Sequence, residues 1–281
     1  MDSLFETIRQ QQKETWDKFS PGWKKWDEFA MNFLAPMGEA IIESLHLKAS
    51  DHVLDIATGT GEPGLSIARI TSSGKVIGTD LSDGMLEVAK ERARDQGIGN
   101  YETVASDVTA LPFADNSFDK ISCRFGLMFF PDMKRAAKEM SRILKPGGRI
   151  AIAVWGKPED NPWVTATMGT IFEVLNVPRP PQDAPGIFRC AMPGFTENLF
   201  KKAGFKNIAS KEVAGVHDFL SEDQYWNFNN EVAAPVVASM SKATTEEKEK
   251  VRGKVFEKIH NLNPGGGARL GYAAHIISAE K

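Results

Sequence analysis

The sequence predicts an α/β protein built on a mostly parallel sheet covered by helices, and three observations carry that prediction. Between Asp51 and Trp155 short apolar runs alternate with helical periodicity over brief connections, the signature of βαβ units. A glycine turn, Gly59-x-Gly61-x-x-Gly64, stands between the first such run and the helix after it. Outside that stretch the pattern turns irregular or helical in three places, as expected for insertions that roof a core sheet.

Within the core, "HVLDIA" (52–57) predicts a buried strand and "KVIGTD" (75–80) a second, with a helix between them. The helix "SDGMLEVAKERARDQ" opens at Ser82, a good N-cap, and gathers Met85, Leu86, Ala89 and Ala93 on one face. "YETVASD" (101–107) and "FDKISCRF" (118–125) read as strands three and four. In "PDMKRAAKEMSRILKPGG" the apolar positions Met133, Ala136, Ala137, Met140, Ile143 and Leu144 step by three and four, so the helix buries one face. It should stop at Lys145-Pro146-Gly147-Gly148, ahead of a fifth strand at 149–155. The chain thus divides into an N-terminal helical lid (1–48), a cofactor-binding core (49–156), an acceptor-pocket insertion (157–192), a core helix and strand (193–215), a helical cap (216–267) and a final strand (268–281). The cap holds two helices with capping-box spacing, at Ser221/Gln224 and Thr244/Glu247.

A net charge of −3, with basic residues scattered along the chain, gives no electrostatic case for nucleic acid. Two cysteines, Cys123 and Cys190, exclude a disulfide framework and suit a reducing compartment. No apolar run is long enough for a membrane span and the polar N-terminus has no signal-peptide core, so a cytoplasmic protein is expected. No metal-ligand spacing occurs, and nothing chooses between a monomer and a homodimer.

Glycines at a strand end let backbone approach a ligand, and the helix N-terminus that follows attracts carboxylate or phosphate alike. The turn alone therefore fits a dinucleotide or an amino-acid-bearing nucleoside equally. Three carboxylates sharpen the choice. Asp55 sits inside a buried strand and needs a partner; Asp80 ends strand two, placed for ribose hydroxyls; Asp107 ends strand three, placed for adenine N6. No Tyr-x-x-x-Lys exists to serve a hydride transfer, since Tyr101, Tyr225 and Tyr272 are followed four residues on by Ala105, Asn229 and Ile276.

"VLDIATGTGEPGLSIA", "VIGTDLSDGMLEVAKERA", "SDVTALPFADNSFDKISCRFGLMFF" and "LKPGGRIAIAVW" resemble successive motifs of class I S-adenosylmethionine-dependent methyltransferases, nearest the ubiquinone/menaquinone-biosynthesis-type small-molecule branch. The resemblance implies a Rossmann-like seven-stranded sheet ordered 3-2-1-4-5-7-6, with the last strand antiparallel. It also implies S-adenosyl-L-methionine as cofactor and S-adenosyl-L-homocysteine as product. Ala57, Thr58, Gly59 and Gly61 would line the methionine moiety, with Asp55 reaching its ammonium directly or through water. Asp80 would take the ribose, with Leu81 against the adenine and Met85 and Ser106 nearby. Asp107 would accept from adenine N6, beside a backbone donor from Val108, and the backbone of Arg124 and Phe125 would lie near the sulfonium. Pro63-Gly64 departs from the usual pair after the turn, although a first helical turn tolerates proline.

The acceptor is expected to be a small molecule, methylated at oxygen or carbon beneath the lid. Trp16, Phe19, Trp23 and Trp26 crowd the N-terminal segment, and Trp226 and Phe228 the cap; each set suits packing or an apolar pocket. If the acceptor must lose a proton, His217 and Glu231 are the candidate bases, with Asp218 and His260 behind them. Two rival readings stand beside this one: a cofactor-binding protein with a non-methylating role, as regulator or cyclase, and an NAD-dependent oxidoreductase.

Overall fold

The strands are β1 (His52–Ile56), β2 (Lys75–Asp80), β3 (Tyr101–Ala105), β4 (Phe118–Arg124), β5 (Leu144–Trp155), β6 (Lys206–Phe219) and β7 (Ala268–Glu280). In the computed structural model, which describes residues 2–181 and 183–281, they form one sheet ordered β3-β2-β1-β4-β5-β7-β6. Neighbours from β3 to β5 pair in parallel, while β7 runs antiparallel to both β5 and β6. This is the sheet order and Rossmann-like class that the sequence motifs imply. The strand order reverses between β1 and β4, so their carboxyl ends flank the crevice where open α/β sheets hold ligands.

Around the sheet pack α3 (Gly64–Ile70), α4 (Asp83–Asp95), α5 (Met133–Ile143) and α7 (Phe195–Lys202). Ser82 caps α4 by accepting from the Met85 amide at 3.0 Å, and Asp132 caps α5 through the Arg135 amide at 3.0 Å. Met133, Ala136, Ala137, Met140 and Ile143 are all buried, the face that the spacing predicts. After Ile143 the chain passes directly into β5. The Lys145-Pro146-Gly147-Gly148 segment forms an irregular start to that strand instead of a separate turn, with a break in register against β4 and Gly147 at φ 75°.

The segments outside the core are helical. At the N-terminus α1 (Asp2–Lys25) and α2 (Asp27–Leu45) lie over the carboxyl ends of the strands, and α6 (Pro162–Val174) follows β5. Between β6 and β7 come α8 (Glu222–Val232), α9 (Ala234–Met240) and α10 (Thr245–Leu262), three helices where capping signals show two. Ser221 and Thr244 do cap α8 and α10, the latter in a full capping box. The short α9 escapes notice because Ala233 supplies no capping side chain. β6 runs four residues beyond its expected end, which carries His217 and Asp218 into the strand, paired with Leu270 and Arg269 of β7.

Candidate active site

The glycine turn is held from below by Asp55. This carboxylate is fully buried; it accepts from Thr58 Oγ1 at 2.6 Å, Ser122 Oγ at 2.6 Å and the Gly64 amide at 3.1 Å. A Cβ on Gly64 would stand 2.8 Å from Asp55 Oδ2, so the third glycine exists to let helix α3 seat on that acid. Gly61, at φ 108°, could carry no side chain without striking Leu65. Burial pushes the Asp55 carboxyl up to about 6, against the hydrogen bonds that favour its ionised form. The resemblance implies that Asp55 reaches a cofactor ammonium directly or through water. Its oxygens face Thr58, Ser122 and Gly64 instead, and it does not line the cavity above.

That cavity has a volume of about 200 Å³ and runs over the ends of β1, β2, β4 and β5. Ala57, Thr58, Gly59, Asp80, Leu81, Met85, Ser106, Asp107, Val108, Arg124 and Phe125 all line it, whereas Gly61 lies behind the turn. Asp80 Oδ2 accepts from the Gly59 amide and Oδ1 from the Ser82 amide, each at 3.0 Å. This pins β2 to the turn while leaving a lone pair on each oxygen for a ligand. Burial raises the Asp80 carboxyl. Asp107 accepts from the Thr109 amide at 2.9 Å, from Thr109 Oγ1 at 2.6 Å and from Arg9 of α1. Burial alone would lift its carboxyl, yet those bonds hold it below the ordinary range.

Helix α1 is strapped across this end. Besides Arg9, Lys13 donates to the Leu81 carbonyl at 3.0 Å and to Asp83 at 2.6 Å, and Asp17 accepts from Ser82 Oγ at 2.6 Å and the Gly84 amide at 3.2 Å. The strap delivers Gln12, Trp16 and Trp23 to the cavity wall.

The opposite end is aromatic. Phe125 stacks on Trp155 at 4.0 Å and 8°, Trp155 meets Trp163 at 5.0 Å, and Phe33 meets Trp163 at 5.1 Å; Phe129, Phe130 and Phe228 complete the wall. Ala57 (φ 53°) and Phe125 (φ 61°) both hold left-handed backbone, costly for residues with side chains, at the ends of β1 and β4. For Phe125 that conformation lays the ring on Trp155. Arg124 is the one cation lining the cavity among the described residues. Its guanidinium donates to the Leu34 carbonyl at 3.3 Å and to Met31 sulfur at 3.2 Å, weak partners that leave donor capacity unused. Burial pulls its pKa down to about 10.

Neither candidate base reaches the cavity. His217 lies in a box of Phe29, Phe33, Phe219 and Phe228, stacked on Phe33 at 3.9 Å and 6°, with Nε2 unpartnered. Burial drops its pKa to about 3, so it is a neutral packing element and a weak base. Glu231 accepts from Trp26 Nε1 at 2.8 Å and pairs with Lys25 at 2.7 Å, tying α8 to the α1–α2 corner. Asp218 is exposed beside Arg269, and His260 is exposed 4.0 Å from Glu222.

Several lining residues escaped the sequence reading: Glu62, Gln12, Met31, Phe33, Trp155 and Trp163. Trp155 had a usable signal, since it ends strand five at the same sheet edge as Arg124 and Phe125. Phe33 and Met31 had none, because nothing local says which face of α2 meets the sheet ends. The aromatic crowd divides: Trp16 and Trp23 line the cavity, while Trp26 packs on Phe29 and Phe228.

A crevice with two acids at strand ends, continuous with an aromatic chamber, has the form of a small-molecule site at the switch point of a Rossmann-like sheet. The model of the ubiE/COQ5 methyltransferase family matches residues 18–177, more than half of the chain, and the protein belongs to that family. Among curated relatives, the ubiquinone/menaquinone biosynthesis C-methyltransferase UbiE of Cronobacter sakazakii is 39% identical over 136 residues, 48% of this chain and 54% of its own length. UbiE of Klebsiella pneumoniae is 35% identical over 181 residues, 61% of this chain and 71% of its own. The chain thus spans about half the length of the first of these relatives. The YcgJ protein of Bacillus subtilis shares the fold at TM-score 0.59 and 20% identity, over 87% of this chain and 97% of its own. The [4+2]-cyclase SpnF does so at TM-score 0.56 and 20% identity, over 87% and 79%. At such identities the likeness concerns the fold alone. No helix among the described residues is long and apolar enough to cross a membrane.

Proposed function

We propose that this protein transfers the methyl group of S-adenosyl-L-methionine to a small, largely apolar acceptor, releasing S-adenosyl-L-homocysteine. The observation that carries the reading is the two-ended cavity: acids at one end for a nucleoside, aromatic rings at the other for an acceptor, and the glycine turn between. Asp80 takes the ribose, Asp107 and Leu81 flank the adenine, and Ala57, Thr58 and Gly59 support the methionine chain. Glu62, which accepts from the Ser66 amide at 3.2 Å at the cavity wall, replaces Asp55 as the partner for the cofactor ammonium. Methyl transfer is an in-line displacement, and holding acceptor, methyl carbon and sulfur in line supplies about 7–11 kcal/mol of the barrier reduction. Two buried, unpaired thiols, Cys123 and Cys190, fit a cytoplasmic setting.

Titration calorimetry on ligand-free protein tests this directly. S-adenosylhomocysteine is expected to bind and NADH to give no heat; the reverse would make the turn a pyrophosphate site and the protein an oxidoreductase. Arg124 extends the test. Its spare donors lie beside Gly38 and Pro63, at the methionine end, and suit the cofactor carboxylate. Arg124→Gln is expected to weaken S-adenosylhomocysteine about 10-fold or more, the worth of a charge-assisted hydrogen bond. The same variant should bind 5′-methylthioadenosine, which lacks the amino acid, as wild type does. Equal losses for both ligands would place Arg124 elsewhere.

A further inference from the structure

Behind the glycine turn one guanidinium gathers three segments of the chain. Arg92 of α4 donates through Nη1 to the Thr60 carbonyl at 2.8 Å, its Nε stands 3.2 Å from Asp27 Oδ2, and its Nη2 stands 3.7 Å from Glu62 Oε1. Asp27 is the first residue of α2, so the corner of the N-terminal lid, the turn and the segment entering α3 all meet on this side chain. Thr60 and Glu62 line the cavity, whereas Arg92 and Asp27 do not. Each Glu62 oxygen has one protein partner: Oε2 accepts from the Ser66 amide at 3.2 Å, and Oε1 faces the guanidinium. A carboxylate oxygen accepts two bonds, so both keep a lone pair for a ligand.

Resting on the methyltransferase reading above, with Glu62 as the partner of the cofactor ammonium, we infer that Arg92 and Asp27 are positioning residues for that contact. Asp27 fixes the guanidinium from the lid, and the guanidinium fixes Glu62. Neither residue meets the ligand. The lid thereby takes part in recognising the amino-acid end of the cofactor through a relay of two side chains.

Two opposing effects set the sign of the contribution. The Arg92 charge repels an incoming ammonium, so its loss would help on that count alone. Yet Arg92 faces both Asp27 and Glu62, and the three groups together leave one negative charge in surplus, which matches a single ammonium. Without the guanidinium, two neighbouring carboxylates repel one another. Burial already holds the Asp27 carboxyl above its ordinary range, with Arg92 working against that shift and Glu62 adding to it. Glu62 would also keep one partner instead of two, and a long side chain held at one point spreads over more rotamers. Loss of hold therefore outweighs loss of repulsion.

Calorimetry measures the affinities of S-adenosylhomocysteine and of its deamino analogue, in which hydrogen replaces the amino group, for wild type, Arg92→Gln, Asp27→Ala and Glu62→Gln. Both ligands carry the nucleoside and the carboxylate, so the ratio of the two affinities isolates the ammonium. Wild type is expected to prefer S-adenosylhomocysteine by about 10-fold or more, the worth of a charge-assisted hydrogen bond. Arg92→Gln should cut that preference about 5-fold while binding the deamino analogue within about 3-fold of wild type, and Asp27→Ala should cut it by at least about 2-fold. Added to Glu62→Gln, Arg92→Gln should change the ratio no further, because the residue it positions has already lost its charge. A preference unchanged or enlarged in Arg92→Gln, or unchanged in Asp27→Ala, would overturn the inference. So would equal losses for both ligands, which would make Arg92 a general prop of the turn. A wild-type preference that survives Glu62→Gln would place the ammonium elsewhere and overturn it too. Failure of wild type to bind S-adenosylhomocysteine at all would overturn the methyltransferase reading itself.

Discussion

Asp80→Ala is expected to weaken S-adenosylhomocysteine binding by about 100-fold or more. Each hydrogen bond to a carboxylate contributes roughly 1.5–3 kcal/mol, and the proposed site gives the two ribose hydroxyls one each. The same oxygens anchor the Gly59 amide and the Ser82 amide at 3.0 Å, so the substitution also frees the turn and the start of α4. Asp80→Asn separates these effects. Its amide keeps one acceptor oxygen and the side-chain volume, so the fold is retained while one ribose bond is lost. Calorimetric affinities should fall in the order wild type, Asp80→Asn, Asp80→Ala, with thermal midpoints of the unliganded proteins much closer together. Affinity within about 3-fold of wild type in the alanine variant would remove Asp80 from the ribose site, because not even one charge-assisted bond would then be missing.

The sheet was legible because its determinants are local. Strands β1 to β5 read as short runs alternating with helices, α4 opens on Ser82 as expected, and the glycine turn marks where the order reverses. The acids at the strand ends were legible for the same reason: Asp80 and Asp107 follow from standing there, and both do line the cavity. Long-range packing set what could not be read. Asp55 has the right residue type and the right strand, but whether it faces cavity or core depends on Ser122 of β4 and on Gly64, which together turn it inward. His217 is expected just after strand six, at the start of the cap. The strand runs on to Phe219 because β7 is long enough to pair with it, and that places the imidazole among rings from α2, β6 and α8. Glu231 looked like an acid facing an acceptor; helix α8 presents it instead to Lys25 and Trp26. A single residue's chemistry is visible in sequence, but its direction is settled by partners far away in the chain.

Asp55→Ala is expected to destabilise the fold by about 3 kcal/mol at pH 5, and by roughly half as much at pH 8. The loss arises because Thr58, Ser122 and the Gly64 amide would all face a small apolar gap, and each unsatisfied buried donor costs about 1–3 kcal/mol, partly recovered by relaxation. The pH dependence follows from the raised carboxyl. In the folded chain it titrates at about 6, in the unfolded chain at roughly 4. Between those values the folded state keeps a proton that the unfolded state has released. Wild type is therefore most favoured by this group at low pH and loses that contribution as pH rises through 6. From pH 5 to pH 8 the loss is about 1.4 kcal/mol for one such group. The alanine variant has no carboxyl to titrate, so the gap between the two proteins narrows by that amount. Urea unfolding at both pH values measures it; an equal gap at pH 5 and pH 8 would mean that Asp55 ionises as it does in water and that the turn rests on an ordinary carboxylate. Because the same three donors fix the glycine turn, the variant should also bind S-adenosylhomocysteine more weakly, although Asp55 does not line the cavity. The acid near the carboxyl end of β1 would then act on the cofactor through the backbone it holds in place.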